Sequence, residues 1–270
     1  MNQMKHYSRN AIHVVVFGVL ACQCPVPAQS TSQTSVSAQT VLNPLSFPLQ
    51  LQGNVMALGS RLQKPGQERE TLVGTLTDSS GSSPGKVTFE LPNKVRIDWM
   101  GGTIRSIGYD GTSNWASDGN LSAQDQNLLE TFLEDSPEGM LNSITQTASL
   151  RVIATFARFD DGTTPNYKGP MVDIFQVVEP VVSNNTKPMR QKHYYFDSTT
   201  RLLTEVDYIL GGSGGSPVGV RVQRSNWNSV GGQLAPGTVT RIENGTTVFS
   251  LSSGSAAFSA AASDGTFSAP

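Results

Sequence analysis

Apolar and polar residues alternate with a period of two along most of this chain, and Gly, Pro, Asn and Asp interrupt the alternation at short intervals. That pattern predicts strands with one buried and one wet face, joined by tight turns. Strands are predicted over residues 46–58, 69–77, 86–91, 94–100, 103–109 and 113–116. The alternation is plainest in Val87, Phe89 and Leu91 and again in Val95, Ile97 and Trp99. Between these sets Pro92-Asn93 supplies a turn, and Asp110-Gly111 supplies a hairpin leading to Trp115.

At Asn120 the period changes. Ser122 with Asp125 three residues later reads as a capping box, and Leu128, Leu129, Phe132 and Leu133 recur at helical spacing. A second helix starts at once, with Ser136 as N-cap, Pro137 in the first turn, and Met140, Leu141 and Ile144 as its apolar stripe. Burying the four large side chains of the first helix contributes about 1.5–3 kcal/mol each, which favours a helix lying on the sheet. Strand patterns resume over 170–178, 190–197, 202–210, 219–226, 238–243 and 247–251, with Leu202, Thr204, Val206, Tyr208 and Leu210 the cleanest alternating set. Residues 150–159 fit either a strand or a continuation of the second helix. Gly211–Ser216 reads as a loop and Asn244-Gly245 as a two-residue hairpin turn. The fold class expected is mainly β (α+β), a large antiparallel sheet with short helices inserted mid-chain and lying over one face.

The first 28 residues have a different character. Lys5 and Arg9 precede an uncharged run from Ala11 to Cys24, and Pro-Val-Pro-Ala ends at Ala28. This is the anatomy of a secretory signal, and the run is short of the roughly 20 apolar residues of a membrane span. Val19-Leu-Ala-Cys22 also resembles a lipobox, which gives an alternative signal of residues 1–21 with acylation of Cys22 as the new first residue. Export to the periplasm or the outer membrane is the expectation either way. Residues 29–45, rich in Ser, Thr, Gln and Ala and without charge, read as a flexible linker. One domain of about 225 residues, 46–270, remains. Removing Lys5 and Arg9 leaves 17 of the 19 Lys and Arg against 21 Asp and Glu, a net charge of −4. No basic footprint for nucleic acid is present.

Motifs for catalysis are sparse. Cleavage after Ala28 leaves one histidine, His193, with no Cys and no second His to share a metal. The chain has no Gly-x-Ser-x-Gly elbow, His-Glu-x-x-His helix or phosphate-cradling Gly loop. Glu134-Asp135 and Asp160-Asp161 are the acid pairs open to a glycosidase reading, but both abut turns or helix ends, where solvated acids are common. The expectation is therefore a protein without catalysis, cofactor or metal. Trp99, Tyr109, Trp115 and Trp227 lie on or beside strands, where they serve as core or line a face for acyl chains or sugar rings.

Several blocks in order carry a resemblance. They are Leu91-Pro-Asn-Lys-Val-Arg-Ile-Asp-Trp99, Gly108-Tyr-Asp-Gly111 with Trp115, the mid-chain helices, Tyr194-Tyr-Phe-Asp-Ser-Thr-Thr-Arg-Leu-Leu203, and Asn226-Trp227 through Gly232-Gln-Leu-Ala-Pro236 to Thr240-Arg-Ile242. Together they resemble the LolA/LolB-like periplasmic lipoprotein-carrier superfamily. The resemblance implies a strongly curved, unclosed β-barrel of about eleven strands, covered by helices, that binds lipid or lipoprotein acyl chains. It implies a cavity lined by Val95, Ile97, Trp99, Trp115, Leu128, Leu129, Phe132, Leu133, Met140, Leu141, Ile144, Val206 and Tyr208, in a protein expected to be monomeric. Arg96 follows the turn proline and would suit a latch to the helical lid, although the alternation puts it on the face opposite Val95 and Trp99. The Gly/Ala/Ser-rich stretch from Ser252 reads as a loosely packed closing strand. Two alternatives stay open: a secreted structural or interaction module that keeps the fold and fills the groove, and a carbohydrate-binding domain.

Overall fold

The computed structural model describes residues 46–102, 104–146, 151–159, 171–179, 190–211 and 216–270, which belong to one compact unit. The expected signal and linker, Cys22 and Asp160-Asp161 lie outside the described residues, as does the side chain of Ile144.

Helix α1 (Phe47–Ala57) opens the described chain, followed by a short 3-10 turn at Arg61–Gln63. Five strands come next: β1 (Arg69–Asp78), β2 (Gly81–Glu90), β3 (Lys94–Trp99), β4 (Arg105–Tyr109) and β5 (Asn114–Ala116). The mid-chain pair α2 (Ala123–Leu133) and α3 (Pro137–Gln146) precedes β6 (Arg151–Phe159), β7 (Met171–Glu179), β8 (Arg190–Asp197), β9 (Leu203–Leu210) and β10 (Val218–Ser225). A small hairpin, β11 (Asn228–Val230) with β12 (Gln233–Ala235), leads to β13 (Thr238–Glu243) and β14 (Thr246–Ser259). Among the described residues twelve strands form one antiparallel sheet in the order β5-β4-β3-β2-β1-β14-β13-β10-β9-β8-β7-β6. Its ends, β5 and β6, do not meet, so the barrel is unclosed.

Both mid-chain helices start as their sequences dictate. The Ser122 hydroxyl accepts from the Asp125 N–H at 3.1 Å and the Asp125 carboxylate accepts from the Ser122 N–H at 2.9 Å. Ser136 accepts from the Gly139 N–H at 2.9 Å. Residues 151–159 form a strand, paired with β7.

The strand expected over 46–58 is instead helix α1. Phe47, Leu49 and Leu51 alternate, which imitates a strand, but Leu49 is 54% exposed whereas Gln50 and Asn54 are fully buried. The buried set Phe47, Gln50, Asn54 and Val55 has helical spacing, and two polar residues occupy it. Asn54 donates to the Arg201 carbonyl at 3.0 Å, a partner no local pattern reveals. The tail from Ser252 is the far half of β14, which lies between β1 and β13.

The sheet curls. Seven inter-strand steps separate β4 from β9, about 34 Å on a flat sheet at ~4.8 Å per step. Yet Arg105 on β4 holds Asp125 in the first turn of α2, and Tyr208 on β9 holds Asp135 just past its end. The helix rises only about 15 Å over that stretch, so the inner face wraps around α2. One core results, joining Val87, Ile97 and Ile107 near one edge to Phe175, Tyr194 and Val206 near the other through Leu129, Phe132 and Met140.

Candidate functional site

Strand register decides which expected residues share the inner face. Val95, Ile97 and Trp99 on β3 point inward with Leu128, Leu129, Phe132, Met140, Val206 and Tyr208, all in one buried cluster. Leu133 and Leu141 pack against it, partly buried. Trp115 does not belong to this face. It pairs across β4 with Gly108, which in turn pairs with Arg96, so all three lie on the outer face. There the indole N–H of Trp115 donates to the Phe267 carbonyl at 2.7 Å, beneath the C-terminal segment.

Arg96 makes its contacts on that outer face and not with the helices. Its guanidinium donates to Asp98 at 2.7 Å and to the Thr266 carbonyl at 2.9 Å, and lies 5.5 Å from the Trp115 ring. Even strand positions there face away from α2, which is why the latch role fails.

The ties between sheet and helices come from cations the sequence reading did not single out, Arg105, Lys192, Arg241, Arg224 and Arg61. Arg105 forks onto Asp125 with bonds of 2.8 and 2.7 Å. Burial alone would raise the Asp125 carboxyl, but this fork and the Ser122 donors reverse it and hold it below the usual range. At the other end of α2, Asp135 accepts from Lys192 at 2.8 Å and from the Tyr208 hydroxyl at 2.9 Å. Burial again opposes charge on Asp135, and Lys192, Arg241 and Tyr208 outweigh it and lower its pKa. Arg241 donates to Thr131 Oγ1 at 3.1 Å and to the Asn127 carbonyl at 3.0 Å, with Glu243 on its Nε at 2.8 Å. Arg224 donates to the Thr131 carbonyl at 2.9 Å. Under α3, Arg61 bridges Glu70 and Glu138. Burial pushes the Glu70 carboxyl up to about 7, Glu138 adds to the rise, and Arg61 opposes it.

Sequence did carry a signal for these groups. Glu70, Arg105, Lys192, Arg224 and Arg241 each stand in phase with apolar positions of their strands: Leu72, Ile107, Tyr194, Val222 and Val239 respectively. A charge on the buried register needs a buried partner.

Between α2 and the inner face, a cleft of about 690 Å³ opens at the β1–β2 turn. Trp99, Leu128 and Phe249 wall it, and all three belong to the core cluster. Arg105, Asp125, Arg241 and Glu243 also border it, and Ser79, Ser80, Ser82 and Ser83 rim it.

With this geometry in place, known proteins offer a comparison. No family model and no curated protein matches the chain. Among solved structures, a LolA superfamily protein from Nitrosomonas europaea covers 79% of this chain and 96% of its own, at 8% identity and TM-score 0.45. A domain named for outer membrane lipoprotein sorting, from Vibrio parahaemolyticus, covers 81% and 97%, at 8% identity and TM-score 0.42. The chain is similar to LolA superfamily structures.

A second cleft, about 630 Å³, lies over β8, β9 and β10 and includes Tyr208. His193 Nδ1 lies 2.6 Å from Asp207, which also accepts from the Tyr195 hydroxyl at 2.6 Å. Among the described residues that line this cleft none is a Ser, Thr or Cys. Among the described residues no group of three or more His, Cys, Asp or Glu is placed to hold a metal ion. Glu134 and Asp135 flank Lys192, at 3.6 and 2.8 Å, and so serve as its counter-ions.

Proposed function

We propose that this chain is an exported, non-catalytic protein that holds acyl chains of a lipid or lipoprotein between the inner face of its curled sheet and helix α2. The cleft of about 690 Å³ carries the reading. Its size falls within the ~300–1,000 Å³ of small-ligand sites, and its wall is continuous with the apolar core through Trp99, Leu128 and Phe249. An acyl chain entering there would extend beside Leu129 and Phe132 as α2 shifts outward. The buried ties at residues 131–135 would act as the hinge end and the half-buried fork Arg105–Asp125 as the opening end. Retention at the outer membrane through acylated Cys22, or release after cleavage at Ala28, completes the reading, and the intact mass of the mature protein separates the two.

Titration with a fluorescent fatty acid tests it. Saturable uptake, displaced by unlabelled acyl lipid, is expected, together with lipid extractable from protein purified out of its own envelope. Absence of both overturns the proposal. The ionic groups buried under α3, Arg61, Glu70 and Glu138, favour a second reading, an interaction module whose groove is filled. That reading predicts no saturable uptake.

A further inference from the structure

Beyond Ser259 the chain leaves the sheet and crosses its outer face, touching residues of β1, β2, β3 and β5 without pairing as a strand. Of residues 260–270 only Phe267 is buried. Its ring lies 5.3 Å from the Arg69 guanidinium and 5.7 Å from Lys94 Nζ. Arg69 forks onto Asp264 at 2.7 and 3.2 Å and donates to the Ala262 carbonyl at 3.1 Å. Arg96 and the Trp115 indole donate to the carbonyls of Thr266 and Phe267, at 2.9 and 2.7 Å. The sheet thus reads main-chain carbonyls, one acid and one ring, which is how a groove holds an extended peptide.

The floor of this groove does not depend on the segment above it. Arg69 is also bonded to Glu90 at 2.6 and 2.8 Å, and Glu90 accepts from Lys94 at 3.0 Å. Arg96 has Asp98 at 2.7 Å and Ser106 at 3.3 Å. The Trp115 ring is packed on Gly108, where an added Cβ would come within 2.4 Å of it, and the Arg96 guanidinium lies 5.5 Å from its centre. Lifting the segment off therefore leaves no cation of the floor without a carboxylate. It opens the slot between Arg69 and Lys94 and frees the Trp115 N–H. The segment's own hold rests on one buried ring and on polar contacts near solvent, Asp264 being 45% exposed. A segment held in this way can exchange with a competitor.

We propose that the outer face of β1 to β5 is a docking groove for a partner protein, with the C-terminal segment of this chain as its resident occupant. The segment displays the pattern the groove recognises. Asp264 answers Arg69, Phe267 three residues later fills the slot between Arg69 and Lys94, and the carbonyls of Thr266 and Phe267 meet Arg96 and Trp115. A partner that carries Asp-x-x-Phe in an extended loop or tail takes the groove by displacing this segment. Tethered to the end of β14, the segment stands at an effective concentration on the order of millimolar, so it screens out weak competitors. The groove lies on the face opposite the acyl cleft, and the inference is independent of the acyl-binding reading.

Fluorescence anisotropy of a fluorescein-labelled peptide of residues 261–270, titrated with the protein, provides the test. The full mature protein with Phe267→Ala has a loosened occupant and should bind the peptide saturably. Truncation after Ala260 should bind it at least as tightly, and the wild type at least about tenfold more weakly. Phe267→Ala in the peptide should weaken binding at least about tenfold, the loss of a buried ring. Asp264→Asn in the peptide, or Trp115→Phe in the truncated protein, should weaken it about fivefold, the loss of one hydrogen bond. Truncation should also red-shift tryptophan emission, and the peptide should reverse that shift. Absence of saturable binding to both opened forms, equal binding by the wild type, or indifference to Phe267→Ala in the peptide overturns the inference. So does a wild-type dimer in sedimentation that Phe267→Ala dissolves, since the segment would then serve a second copy of this chain. If the truncated form fails to fold by circular dichroism, the full-length Phe267→Ala variant decides alone.

Discussion

Replacing Lys192 by Met tests how the helices are held to the sheet. Lys192 is 1% exposed and its partner Asp135 is fully buried, so the substitution strands a carboxylate that keeps the Tyr208 hydroxyl at 2.9 Å and the fields of Arg241 and Arg224. Removing one member of such a pair costs about 3–5 kcal/mol, against a total stability of about 5–15 kcal/mol for a domain. The pH dependence supplies a second signature. In the wild type the Asp135 carboxyl is held below its ordinary value of 3.8, so the stability it contributes is present above that pH and is lost as pH falls through the folded-state value. In Lys192→Met the desolvated carboxyl rises above 3.8, so stability is instead lost as pH rises through its new folded-state value. Urea denaturation followed by circular dichroism at pH 4, 5, 6 and 7.5 reads both effects. Met is close to Lys in length, so the double variant Lys192→Met with Asp135→Asn should recover at least about 2 kcal/mol of the single variant's loss. A single-variant cost under about 1 kcal/mol, or additive effects in the double, would refute the reasoning.

Three further outcomes follow from other parts of the fold. Glu70, pushed up to about 7, holds a proton that the unfolded chain releases near 4.5, so the wild type loses stability between those pH values; Glu70→Gln should flatten that slope in urea midpoints, and an unchanged slope would place the titration elsewhere. Gly108→Ala puts a Cβ 2.4 Å from the Trp115 ring and should cost about 1–3 kcal/mol by overpacking, read as a lower thermal midpoint with a red-shifted tryptophan emission; an unshifted emission would mean the ring accommodates it. Ser122→Ala removes the α2 cap and should cost about 0.5–2 kcal/mol in the same melts, whereas Ser122→Asp should lose less.

Much of the sheet and both mid-chain helix starts were legible because the interactions that set them are local. The alternation in Val95, Ile97 and Trp99, the turn at Pro92-Asn93, the capping box at Ser122 and the N-cap at Ser136 all involve residues within four positions of one another. Helix α1 was missed for the converse reason. Its buried positions Gln50 and Asn54 are polar, and what satisfies Asn54 is the carbonyl of Arg201, 147 positions away. The inward stripe of candidate lining residues was readable, but Trp115 was not, since an aromatic on a short strand gives no sign of which face it takes. Register placed it opposite Gly108, beneath Phe267.

By itself, then, the sequence determined the periods, the turns and the helix caps, and from these a mainly antiparallel sheet with a helical insertion. Only the tertiary structure decided which charges meet. Lys192 finds Asp135 across 57 positions and Arg241 finds Asn127 across 114, so which buried cation answers which carboxylate is fixed by strand order and curl. The cleft at the β1–β2 turn has the same origin, because its walls come from strands and a helix far apart in the chain. Short-range preferences fix backbone conformation residue by residue, whereas a site is made of side chains that only the folded topology brings within reach of each other.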